Sequence, residues 1–307
     1  MIAAAADASE HKRIIKIQFA VEEKLSFEGV SVMKRMGTLI KVVALAASLC
    51  VMLFVVAAAT DESPKIDAST PVEELKALAS QGNADAMLEL GERLIQGQGV
   101  EANVAEGLQW LHKAADAGKN QAWYDIGFVY SNGLGVEMNM TEAMKYFRKG
   151  AEAGNADCQT SMGMFYQAGE RIPGGVKADL AEAAKWYRMA AEQNHAEAIF
   201  HLAQLYMRGE GVQQNAAEAV RWFRKGADLG NSDAQWYLGR CYQNGKGVTK
   251  DLVQAYALFS TAVDGAENPE QKKGMVEERD KLGKELNADQ LKEAKRLAEE
   301  WMAKKAK

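Results

Sequence analysis

Apolar residues along this chain recur in one order, five times over. Each copy opens with a stripe at steps of four, one and three, as in Ala86, Leu90, Gly91 and Leu94. The later copies read Ala122, Ile126, Gly127, Tyr130; Cys158, Met162, Gly163, Tyr166; Ala198, Leu202, Ala203, Tyr206; and Ala234, Leu238, Gly239, Tyr242. Those steps place each set on one face of a helix. The Gly or Ala position predicts a close approach by a neighbouring backbone. A second apolar face follows in every copy: Trp110-Leu111, Tyr146-Phe147, Trp186-Tyr187, Trp222-Phe223 and Leu258-Phe259. No copy alternates with period two, so no sheet is expected.

Between the two stripes lies Gly-x-Gly-Val, as Gly97 to Val100, Gly133 to Val136, Gly209 to Val212 and Gly245 to Val248. A stretched version runs from Gly169 to Gly175-Val176. The first glycines stand at 97, 133, 169, 209 and 245, spacings of 36, 36, 40 and 36. A fixed period in this range marks a repeat array. The first glycine ends a helix in the left-handed conformation, and the valine returns to the core. Three residues later comes a cap, Asn103, Asn139, Asp179, Asn215 or Asp251, with Glu106, Glu142, Glu182, Glu218 or Gln254 three further on. That is a variant of the capping box and starts a second helix. The first four second helices close on Gly118, Gly154, Asn194 and Gly230, residues that tolerate positive φ. Each unit is thus a hairpin of two helices of about 14 residues, roughly 20 Å long. One hairpin cannot bury its apolar faces alone; stacked neighbours can.

These columns resemble the Sel1-like repeat family, relatives of the tetratricopeptide repeats. The shared pattern is a small residue, Leu-Gly, Tyr, Gly-x-Gly-Val, an acidic cap, Ala, an aromatic pair, Ala-Ala and Gly. It covers about Gly82 to Asp264. Leu94, Cys158, Ala203 and Leu258 depart from it, and the third copy carries an insertion within 170–174. The resemblance implies an all-α fold, an α/α superhelix of five Sel1-like hairpins, usually a platform for other proteins.

The flanks divide the chain further. Residues 33–59 read as an export signal: Lys34, Arg35 and Lys41 ahead of an apolar run and Ala57-Ala58-Ala59. Two outcomes stay open. A cleaved signal gives a periplasmic or secreted protein. A retained one anchors it in the inner membrane facing the periplasm, since Val42–Ala59 is an 18-residue uncharged stretch. Cys50 follows Leu49, which disfavours lipid attachment. Residues 1–32 read as a non-native or disordered extension, with translation starting at Met33. Residues 60–70 form a polar linker. Residues 71–82 form a capping half-repeat, with Thr70 as cap and Pro71 in the first helical position. The repeats fill 83–264, and 265–307 supply capping helices. There Pro269–Leu286 is one helix. A second follows Asn287, with Leu291, Ala294, Leu297, Ala298 and Trp301 on one face and Lys304, Lys305 and Lys307 at its negative end.

Charge and chemistry narrow the reading. Residues 1–59 hold seven Lys/Arg and five Asp/Glu, leaving 30 basic against 37 acidic residues, net −7. A nucleic-acid surface needs a basic stripe, so none is expected. The histidines, His11, His112, His195 and His201, show no metal spacing. His112 reads as an outer-face residue and His195 as a turn residue in the column of Asn155 and Asn231. Cys158 and Cys241 lie two repeats apart, too far to bridge, and read as buried thiols. Asn139 heads a glycosylation-like triplet, but its cap column explains it. No catalytic residue, metal or cofactor is expected, and the chain reads as a non-enzymatic monomer.

The resemblance also implies that the first helices line a concave groove. The columns facing it are Leu88, Tyr124, Thr160, Phe200, Trp236; Glu89, Asp125, Ser161, His201, Tyr237; and Glu92, Phe128, Met164, Gln204, Arg240. Aromatic residues and Arg dominate binding hot spots. The candidate contacts are therefore Tyr124, Phe128, Met164, Phe200, His201, Trp236, Tyr237 and Arg240. The expected ligand is a protein or peptide; the alternative is glycan or peptidoglycan stacking on the same aromatics. Any membrane contact would come only through an uncleaved N-terminal segment.

Overall fold

A computed structural model describes residues 66–305, with side chains to Ala303. The export segment, the extension before it, Cys50, His11, most of the linker, Lys307 and the side chains of Lys304 and Lys305 lie outside the described residues. Within them every regular element is helical: thirteen α-helices and one short 3-10 turn. They run α1 (Val72–Ser80), α2 (Ala84–Gln96), α3 (Val104–Asp116), α4 (Gln121–Asn132), α5 (Met140–Glu152), α6 (Ala156–Ala168) and α7 (Leu180–Glu192). Then come α8 (Ala196–Arg208), α9 (Ala216–Asp228), α10 (Ser232–Asn244), α11 (Leu252–Gly265), α12 (Pro269–Gly283) and α13 (Ala288–Lys305). Helices α2 to α11 form the five hairpins. Each packs on its neighbours in chain order, which makes a solenoid. Helix α1 covers the first hairpin; α12 and α13 lie on α11, and α13 also reaches α9. Trp301 closes the apolar cluster of Phe223 and Leu238. No described helix is long and apolar enough to cross a membrane.

The two glycines of each turn do different work. Gly97, Gly133, Gly209 and Gly245 are left-handed helix caps. The second glycine seats the turn against the start of the previous second helix. At Gly211, with φ +69°, a Cβ would fall inside the Leu180 carbonyl at the head of α7. In the third repeat the insertion changes this. Gly169 leads into the 3-10 turn Gly169–Arg171. Arg171 donates to the carbonyls of Ala168 and Gln167, closing α6. Gly174, not Gly175, then takes positive φ and lies against Thr141 of α5. Ile172 packs on the Phe147 and Met162 cluster.

Three expectations need correction. The small column inside the first helices admits mainly a side chain, not a backbone. A Cβ on Gly127 would meet the Phe147 ring at 2.7 Å, and one on Gly239 the Phe259 ring at 2.7 Å. The capping box forms by half. Asn103, Asn139, Asp179, Asn215 and Asp251 accept from the third helical N–H. Their own N–H groups do not wait for a side chain. They donate to Leu94, Tyr130, Tyr166, Tyr206 and Tyr242, using carbonyls the first helix leaves free at its end. Among the described residues the complete reciprocal box appears only at α13, between Asn287 and Gln290. Finally, Thr70 is not a cap. Its hydroxyl accepts from Asp67 N–H, and α1 begins after Pro71. Buried Arg93 pins that turn by donating to the carbonyls of Thr70 and Asp67, 2.6 and 3.0 Å away.

Repeats are also joined by polar clasps. Arg148, Arg188 and Arg224 of three second helices donate to Tyr166, Tyr206 and Tyr242 of the next first helix. This explains why the Tyr column is only half-buried: the ring packs inward and the hydroxyl reaches out.

Candidate functional site

The face to consider is carried by α2, α4, α6, α8 and α10, the first helices of the hairpins. On it the candidate contacts fall into two aromatic groups. Tyr124 and Phe128 stack one turn apart on α4, centroids 6.2 Å apart. Phe128 is 45% exposed, while Tyr124 leans on Phe147 of the core. Further along, Phe200 meets Tyr237 edge to face at 5.3 Å and His201 at 5.5 Å. Met164 is half-buried against Tyr187 and its neighbours. Arg240 is exposed. Trp236 is buried at 8% and lies on Phe259 within the cluster that α12 covers. Its ring belongs to the core, because the capping helix closes the last repeat where another hairpin would otherwise stack.

The histidines tie neighbouring repeats together. His195 is the cap of α8, its Nδ1 accepting from Ala198 N–H at 3.3 Å. That fixes Nε2 as the protonated nitrogen of the neutral ring, donating to Asp157 of α6 at 3.0 Å. This bond holds the Asp157 carboxyl below the usual range. His201 stacks on Tyr187 with centroids 4.9 Å apart, and its Nδ1 is buried without a partner. It also lowers Glu197. His112 is not an outer-face residue. It occupies the column of Arg148, Arg188 and Arg224, and packs edge-on against Tyr146 (5.4 Å) and Trp123 (6.1 Å). Burial lowers its pKa. Cys158 and Cys241 are buried free thiols whose pKa burial raises, Cys241 to about 11. Among the described residues no three His, Cys, Asp or Glu side chains gather as a metal site.

The electrostatics of the two helix layers differ. The five first helices hold seven acidic residues and three arginines, net −4. The five second helices hold nine of each sign, net zero. On the second helices Lys145–Glu142, Lys185–Glu182 and Arg221–Glu218 pair one turn apart. On the first helices Glu89 holds Arg93 at 2.7 Å, Asp85 takes Lys119, Asp157 takes His195, and Asp233 accepts from Gln271.

Glu92 and Asp125 have no cation. Asp125 receives one hydrogen bond, from Gln121 at 3.3 Å, and its other oxygen is buried without a partner. Burial, followed by the charges of Glu92 and Asp157, pushes its carboxyl up to about 7. Burial and Glu89 raise Glu92 as well. Both acids were visible in the facing columns of the sequence. What marks them is that two successive repeats place acids there and neither pairs with a Lys or Arg, Arg93 being committed to Glu89.

Five consecutive segments match the Sel1 repeat: residues 84–119, 121–155, 156–195, 196–231 and 232–266. A Sel1 repeat protein from Oxalobacter formigenes shares the architecture with a TM-score of 0.58 at 28% identity, over 68% of this chain and 91% of that one. A protective antigen present in uropathogenic Escherichia coli strains, displaying an SLR fold, gives 0.51 at 28% identity. That likeness covers 76% of this chain but 56% of the antigen, so this chain spans little more than half its length. No curated protein matches the chain.

Proposed function

This chain belongs to the Sel1 repeat family, and from that premise we propose that it is a non-catalytic scaffold holding a protein or peptide on its first-helix face. Sel1 repeat proteins are generally protein-interaction scaffolds. The observation that carries the choice of face is the contrast between the two layers. The second helices are neutral in sum, whereas the first helices are net negative and present Phe128, 45% exposed, one turn from Asp125. Exposed aromatic residues are costly to leave wet and pay back on contact. The first helices α4, α6 and α8 also approach one another directly, as the inner side of a curved stack would. Export, read from residues 33–59 alone, would place the partner outside the cytoplasm.

The test is site-specific photocrosslinking in the native cell. A photoreactive residue at Phe128 should trap a partner, and one at Lys185, on the second-helix face, should not. Equal trapping at both positions would reject the assignment of the face.

A further inference from the structure

We propose that the captured segment is basic: an ammonium or guanidinium group of a partner peptide lies between Glu92 and Asp125 while its apolar neighbour packs on Phe128 and Tyr124. The inference deepens the scaffold reading and rests on it.

Consider where the charges of this face go. Of its seven acids, Asp85, Glu89, Asp157, Glu197 and Asp233 each have a partner within the chain, namely Lys119, Arg93, His195, His201 and Gln271. Glu92 on α2 and Asp125 on α4 remain. They stand on adjacent first helices, and the charges of Glu92 and of Asp157 on α6 both bear on Asp125. The one arginine of the first three first helices, Arg93, is buried and spent on Glu89 and two backbone carbonyls. A cation arriving from outside at the exposed edge of this pair offsets the repulsion that Glu92 and Asp157 exert on Asp125.

The apolar part of the surface agrees. Phe128 lies one turn from Tyr124 on the same helix as Asp125, its ring 45% exposed. An aromatic face beside carboxylates favours a cation with an alkyl stem, since the ring attracts the charge and covers the methylenes. Nucleic acid and anionic membrane surfaces carry the wrong sign. Charge complementarity therefore selects a separate basic segment.

The full chain, immobilised, is panned with a random peptide library on phage at low salt. Parallel selections use Glu92→Gln with Asp125→Asn, Phe128→Ala, and a second-helix control, Glu152→Gln. The expected winners carry Lys or Arg next to an apolar residue. Resynthesised, they bind the double variant about tenfold or more weakly, and the control unchanged. Winners without basic residues, or basic winners indifferent to the double variant, would overturn the cation site and leave the docking face standing. No winners at all, or winners unaffected by Phe128→Ala, would overturn the docking face and this inference with it. Circular dichroism melts confirm that each variant is folded.

Discussion

Replacing Asp125 by Asn should stabilise this protein, and only where the pH is high enough. In the unfolded chain an aspartate releases its proton near pH 3.8; in the folded chain Asp125 keeps it to about pH 7. Between those values the folded state holds the extra proton. Stability therefore falls as pH rises through that window, and is level above it. A span of roughly three units at 1.36 kcal/mol per unit gives about 4 kcal/mol as the ceiling on the loss. Asn has nearly the same shape, keeps the Gln121 contact and carries no charge. The variant should match the parent near pH 4 and exceed it by about 2–4 kcal/mol at pH 8.

Urea denaturation of both proteins at the two pH values reads that difference. Repeat arrays can unfold in stages, so a local probe belongs beside it: the Asp125 carboxyl carbon followed by NMR should titrate with a midpoint near 7. Glu92→Gln should move that midpoint down, because Glu92 is a source of the shift. A parent–variant gap that is the same at pH 4 and pH 8, or an Asp125 midpoint near 4, would show that the carboxyl is solvated and unpressed. The basis for seeking a cation there would go with it.

Two further perturbations test how the stack is held. Gly211→Ala combines a left-handed φ with a Cβ inside the Leu180 carbonyl, and should cost about 3 kcal/mol or more in thermal or chemical unfolding. Gly118→Ala carries positive φ but has open space, and should cost only about 1 kcal/mol; equal costs would refute the seating role of the second glycine. Tyr166→Phe removes the hydroxyl that accepts from Arg148 at 3.0 Å, and should cost about 1 kcal/mol, with the same loss on Arg148→Ala and no further loss in the double variant.

Most of the fold could be read from the chain because the repeat forces the same local problem to be solved five times. A glycine returning every 36 residues before a valine has few explanations, and the stripe around it states which face is buried. What escaped were partnerships across repeats. The Arg–Tyr clasps join residues 18 apart, and neither column looks polar and paired until the helices are placed. His112 looked exposed because its column elsewhere holds arginine, a residue that reaches water from a half-buried base. Trp236 looked like a contact because it is an aromatic residue in a column that holds Tyr124 and Phe200, both half-buried. Phe259 of α11 and the added helix α12 share its cluster, and the periodic pattern carries no information about α12. The candidate site was half legible. Phe128 stood out by type, but Asp125 needed the positions of Glu92 and Asp157 to become unusual.

Asp125 also separates what the stack requires from what it tolerates. Its column holds Glu89, Ser161, His201 and Tyr237 in the other repeats, so the packing makes no demand for an acid there. Of these, Glu89 is neutralised by Arg93, Tyr237 is packed in an aromatic pair, Ser161 bonds its own helix, and His201 leaves Nδ1 buried without a partner. Asp125 alone is an acid with one oxygen left unanswered. A chain selected for stability would carry Asn or Ser at this point, at a gain worth a large share of a domain's stability. Local rules are commonly broken where a site needs them broken; the basic segment proposed above would bring a positive charge to this second repeat, beside the exposed ring of Phe128.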